Sequence, residues 1–170
     1  MIDKMEIADN NFYNSIKNIL QNARDNAYRS VNFIMVEAYW HIGQQIVEEE
    51  QRGKERAEYG KALIKELSHK LTEDFGKGFS KRNIYNMKKF YLSFLNLQTL
   101  SAQLTWSHYV LLLRIEKRDA REWYMQESTK SNWSVRAMER QIHSHYYECL
   151  LSSREKAPVE QKRHKRRQSL

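Results

Sequence analysis

Only one of the 170 residues is a proline, Pro158, and only five are glycines. Almost nothing along the chain therefore interrupts a helical backbone ladder. A β-sandwich or barrel of this length would need many more turn-forming residues. The expected fold is all-α: a long N-terminal helix plus a bundle containing a helix-turn-helix. The length suits one ordinary domain or two small helical subdomains.

Apolar and small residues recur at steps of three and four as Phe12, Ile16, Ile19, Ala23, Ala27, Ser30, Ile34, Ala38 and Ile42, which predicts one amphipathic helix from about Phe12 to Val47. Its small residues permit close helix approach, so the stripe either packs along the rest of the chain or pairs with a second copy. After a break at Gln51-Arg52-Gly53, the four-residue step of Tyr59, Leu63, Leu67, Leu71 and Phe75 predicts a helix over about 58–74. Gly76-Lys77-Gly78 then offers left-handed backbone for a sharp turn, and Ser80 stands where an N-cap belongs. A third helix, about Lys81 to Phe94, should bury Ile84, Met87, Phe90, Tyr91 and Phe94. Further helices are expected near 106–115, 118–129 and 134–150. The domain is thus expected over 1–151, divided into a long helix (11–50), a helix-turn-helix (54–94) and a C-terminal helical subdomain (104–150). A basic tail, 152–170, reads as a disordered end.

The formal net charge is +8, but its distribution is more telling. Residues 53–94 and 152–170 each carry a net +5, whereas 1–52 carry −3. The tail would bind any polyanion, so the internal excess is the better clue. Between Asp74 and Glu116 no acidic residue occurs. The outer face of the third helix holds Lys81, Arg82, Tyr85, Lys88 and Lys89, with Asn86 at its edge. Lysine-rich helix faces are commonly just solvated surface, but such faces usually mix signs through Glu–Lys pairs, and Lys88 and Lys89 have no such partner nearby in sequence. In a helix-turn-helix the second helix enters the major groove N-terminus first. Lys77, Ser80, Lys81, Arg82, Tyr85, Asn86, Lys88 and Lys89 are therefore the candidate DNA-binding residues. Lysines serve phosphates, whereas Arg82, Tyr85 and Asn86 can reach base edges. RNA stays open as a target, because phosphate-directed lysines do not distinguish the two polymers. On the last helix Arg136, Arg140, His143 and Tyr147 form a polar stripe opposite Val135, Met138, Ile142 and Cys149, with Arg136 and Arg140 as secondary DNA-contact candidates.

Other function classes find little footing. No apolar run reaches the roughly 20 residues that span a bilayer, and the acidic N-terminus is unlike a secretory signal, so a cytoplasmic protein without membrane partners is expected. Cys149 is the only cysteine and reads as a reduced, partly buried thiol. The six histidines show no metal-binding spacing; His41 and His108, beside Trp40 and Trp106, read as structural. A metal-dependent nuclease needs clustered carboxylates with a lysine, and the one acid-x-Lys triplet, Glu160-Gln161-Lys162, lies in the tail. No catalytic residue, metal or cofactor is expected.

Several blocks in order carry a family resemblance: Tyr39-Trp40-His41-Ile42-Gly43, Arg56-Ala57-Glu58-Tyr59-Gly60, Gly78-Phe79-Ser80-Lys81-Arg82-Asn83, Trp106-Ser107-His108-Tyr109 and Asn132-Trp133-Ser134-Val135-Arg136. With these the chain resembles the N-terminal domain of YhcG-type bacterial proteins, a domain of unknown function that precedes a PD-(D/E)XK nuclease domain. A fainter similarity links Leu67 to Ile142 with the helix-turn-helix region of ParB-like partition proteins. The resemblance implies a non-catalytic helical module supplying target binding. The alternative is a dimerisation or adaptor module, pairing through the long helix and positioning a nuclease domain or subunit.

Overall fold

A computed structural model describes residues 3–52 and 57–153, and among these every regular element is helical. In order they are α1 (Asp3–Arg52), α2 (Ala57–Phe75), a 3-10 turn (Lys77–Phe79), α3 (Lys81–Ser93), a second 3-10 turn (Leu97–Thr99), α4 (Trp106–Leu112), α5 (Arg118–Lys130) and α6 (Val135–His143). The all-α expectation holds. None of the described helices is long and apolar enough to cross a membrane. The chain divides into two compact units, Met1–Trp106 and Ser107–Leu170. The Gly53 break and the tail beyond residue 153, Glu160-Gln161-Lys162 included, lie outside the described residues.

In the first unit α3 packs on α1 and on α2. Along α1 the buried line is Val36, Trp40, Gly43 and Val47, a 4-3-4 step that begins only after residue 35. This corrects the expected stripe, because Ile34 is 60% exposed and Ala38 and Ile42 are half-buried. The reason is Gly43. A Cβ there would collide with the Met87 carbonyl oxygen of α3, so only glycine lets the two backbones come so close. The line centred on Gly43 therefore turns inward. Met87 and Phe90 are fully buried, and burial of each such side chain contributes roughly 1.5–3 kcal/mol. Trp40 fixes the end of α3, its indole donating to the Phe94 carbonyl at 2.6 Å while its ring meets Tyr91 edge-on.

Beside that line on α1, Ile46 joins Ile64 of α2 and Ile84 of α3, with Ile42, Leu67, Leu71 and Phe79 packed around them. Ile64, absent from the expected α2 stripe, is its fully buried residue. Phe75, expected inside, is 71% exposed and packs against the ring of Phe79, since the chain leaves the helix there.

The front of α1 behaves differently. Every residue from 10 to 31 is exposed, including Phe12, Ile19 and Val31. Of the two outcomes open to this stripe, packing along its own chain leaves none of these side chains covered among the described residues, although Arg29 and Ser30 line a shallow pocket with Ala102 and Gln103.

In the second unit, Ser134 caps α6 by accepting from the Ala137 N–H, and Tyr124 donates to the Gln141 carbonyl at 3.1 Å. The last helix is not continuous to residue 150: it breaks at Ser144–His145, with His145 at φ 51, and resumes over 146–153. The break turns Tyr147 onto Trp123, so Tyr147 leaves the expected polar stripe. It also exposes Cys149, which is not the partly buried thiol expected. His108 is buried and its Nε2 lies 3.0 Å from the Trp133 carbonyl oxygen, which supports its structural reading. His41, by contrast, is exposed and meets Trp40 edge-on.

Candidate nucleic-acid interface

The turn between α2 and α3 is built by a few local contacts. α2 ends where Gly76 adopts φ 87, a left-handed conformation that a residue with a Cβ enters only with strain. Its N–H still reaches Thr72 O at 3.0 Å. Gly78 has no such conformation, so a single glycine makes the reversal. Ser68 of α2 donates to the Phe79 carbonyl at 2.9 Å. Ser80 then caps α3, its hydroxyl accepting the Asn83 N–H at 3.3 Å.

Asn83 closes the turn from inside. Its amide donates to the Gly78 carbonyl at 2.6 Å and its carbonyl accepts from the Trp106 indole at 2.9 Å. Trp106 in turn packs on Tyr39 and Phe90. Asn83 and Trp106 both stood within the resemblance blocks without an assigned role. An asparagine three residues past a serine cap was the one available signal.

The outer face of α3 carries the charge. Lys77, Ser80, Lys81, Arg82, Tyr85 and Lys89 are exposed, and Asn86 is half-buried at the flank. Among the described residues no ion pair joins Lys77, Lys81, Arg82 or Lys89 to a carboxylate. Lys88 differs. It leans back to Glu50 at the end of α1 at 2.5 Å, with both side chains mostly covered, so the expectation that Lys88 lacks an acidic partner is corrected. That partner lies 38 positions upstream and was invisible to any local pattern. Arg136 and Arg140 are exposed on α6, in the second unit.

Elsewhere the surface offers little reactive chemistry. A groove of about 490 Å³ between α1 and α2 is walled mainly by Ile42, Leu63, Leu67 and Leu71. Among the described residues no three His, Cys, Asp or Glu side chains gather as metal ligands. Burial holds the His108 imidazole below its ordinary value, partly offset by the Trp133 carbonyl, which suits a neutral structural ring.

Residues 15–149 match the family model described as the DUF1016 N-terminal domain. The chain belongs to the DUF1016 N-terminal domain family. It is also 36% identical to the Escherichia coli (strain K12) protein named "Putative nuclease YhcG", over 86% of this chain and 48% of that one. The chain therefore spans about half the length of this relative. No solved structure matches. The matched DUF1016 N-terminal segment takes in α2, the Gly76 turn and α3, together with most of α1 and all of α4 to α6.

Proposed function

We infer that the chain is a non-catalytic DNA-binding module of a nuclease-type protein, contacting DNA through the outer face of α3. The observation that carries this reading is a capped helix after a sharp turn, with Lys81, Arg82 and Lys89 exposed and no Asp or Glu within the helix itself. In the complex α3 enters the major groove by its N-terminus. Arg82, Tyr85 and Asn86 read base edges, Lys77, Lys81 and Lys89 hold phosphates, and Ser80 donates its hydroxyl proton to a phosphate while still capping the helix. Lys88 joins only where its tie to Glu50 opens. Arg136 and Arg140 supply secondary phosphate contacts. Hydrolysis belongs to a nuclease domain or subunit that this module positions, in keeping with the relative's name, and the setting is the cytoplasm.

Titration of a labelled duplex with the full chain tests this, with Arg82→Ala/Lys89→Ala as the comparison. The double variant should bind more weakly, and the slope of log affinity against log salt should shrink by about 1, near 0.9 for the one phosphate that Lys89 no longer neutralises. A chain ending at residue 151 separates the tail's contribution. Equal binding by the double variant refutes the α3 reading, and stronger competition by duplex RNA than by DNA moves the target to RNA.

A second reading, assembly through α1, is favoured by the exposed apolar residues over 10–31.

A further inference from the structure

We propose that the exposed half of α1 pairs with the same half of a second copy of this chain, antiparallel, about a two-fold axis at Ala23. The proposal gives the assembly reading of α1 a partner, an orientation and a register.

The stripe is a palindrome in position. Phe12, Ile16, Ile19, Ala23, Ala27, Ser30 and Ile34 step by 4, 3, 4, 4, 3 and 4, so reversing the helix about Ala23 returns the same pattern. An isologous two-fold contact needs this self-complementarity. In the resulting register Ala23 faces itself, Ile19 faces Ala27, Ile16 faces Ser30 and Phe12 faces Ile34. Small meets small at the centre and large meets small in the next two pairs, which suits two helices crossing closely there, while Phe12 meets Ile34 at the two ends.

At about 100° per residue, all seven positions fall within about 40° of Ala23 around the helix. Lys17, Arg24, Asp25 and Arg29 lie roughly 100° or more away by the same count, so no charge is buried by pairing. Phe12 is 68% exposed, Ile19 60% and Ile34 60%, a contiguous apolar face that a lone soluble chain rarely leaves open. The stripe is about 34 Å long. A strip as wide as the helix itself, about 11 Å, covers roughly 370 Å² per copy over that length. The total, about 750 Å², is the size of a weak, reversible interface, and the positional palindrome is what selects a second copy as the partner.

The test uses the full chain with Cys149→Ser, because the native thiol is exposed. Ile19→Cys and Ala27→Cys chains are oxidised separately and as a mixture, without nucleic acid. In the proposed register the mixture yields a disulfide-linked heterodimer, while Ile19→Cys alone does not link, its two copies being about 12 Å apart along the axis. Self-linking of Ile19→Cys, or no linked product in the mixture, overturns the proposal. Light scattering should show a dimer at micromolar concentration that Ala23→Glu, at an exposed position outside the core, shifts to monomer by tenfold or more in Kd with helicity unchanged. A monomer across that range in the unmutated chain also overturns it. Since no nucleic acid is present, failure here leaves binding by α3 standing.

Discussion

Gly43→Ala is the substitution to which the first unit should be most sensitive. The added Cβ would collide with the Met87 carbonyl oxygen, while lying 2.8 Å from the carbonyl carbon and 3.0 Å from Tyr91 Cβ. Two of these three atoms belong to backbone inside α3, so no side-chain rotation relieves the clash. The two helices must separate by on the order of 1 Å, which forfeits up to half of each dispersion attraction across the seam. Overpacking of this kind costs about 1–3 kcal/mol, and a rigid neighbour places it at the upper end. Alanine regains about 1 kcal/mol of helix propensity over glycine. The net expectation is a loss of about 2 kcal/mol, or a melting temperature lower by roughly 4–8 °C for a chain of this size. Gly60→Ala is the control. Its Cβ would come 2.9 Å from Glu50 Oε1, the end of a flexible side chain, so its effect should stay within about 1 kcal/mol of neutral. Thermal or urea unfolding of the three proteins side by side measures both. A Gly43→Ala protein as stable as the parent, or stabilised like a simple propensity gain, refutes the account of the α1–α3 seam.

Glu50→Gln removes the partner of Lys88 and should destabilise the first unit by about 1 kcal/mol, the upper range for partly exposed pairs. The same change frees a lysine at the flank of α3, so DNA affinity should rise and the salt slope steepen by about 1; unchanged binding removes Lys88 from the interface. His108 gives the second unit a pH dependence. Because burial lowers its folded pKa below the ordinary 6.5, the unfolded chain takes up the proton first. The contribution is then fully present above about 6.5 and lost as pH falls toward the folded value. Melting temperature measured between pH 7.5 and 5.5 should fall on acidification, and His108→Gln should flatten that fall; a parent curve as flat as the variant's refutes it.

Local patterns revealed what depends on neighbours in sequence. Helices α1 to α5, the Gly76 turn, the Ser80 cap and the inward set Ile84, Met87 and Phe90 all rest on spacings of four residues or fewer, and each stands close to where the sequence put it. What escaped depends on distant partners. Nothing near Glu50 in sequence points to Lys88, yet Glu50 neutralises it. The periodic stripe of α1 continued smoothly through Ile34, Ala38 and Ile42, but the seat of α3 at Gly43 rotates the buried line away from it. The break at Ser144–His145 involves no proline or glycine, so no residue type announced it, and the contact of half-buried Tyr147 with Trp123 and the exposure of Cys149 followed from it.

The unbroken course of α1 makes it a ruler as well as a scaffold. Gly43, where α3 is seated, lies 20 positions beyond Ala23, or about 30 Å along a straight helix. Two copies paired about Ala23 hold their α3 seats about 60 Å apart, roughly 18 base pairs of duplex and a little short of the two-turn separation of paired half-sites. Between these positions the chain has no glycine or proline to absorb a change in length. Inserting one helical turn there would spread the seats by about 11 Å, some three base pairs. If the proposed pairing about Ala23 and the proposed DNA contact by α3 both hold, the length of this one helix sets the spacing of an inverted-repeat target.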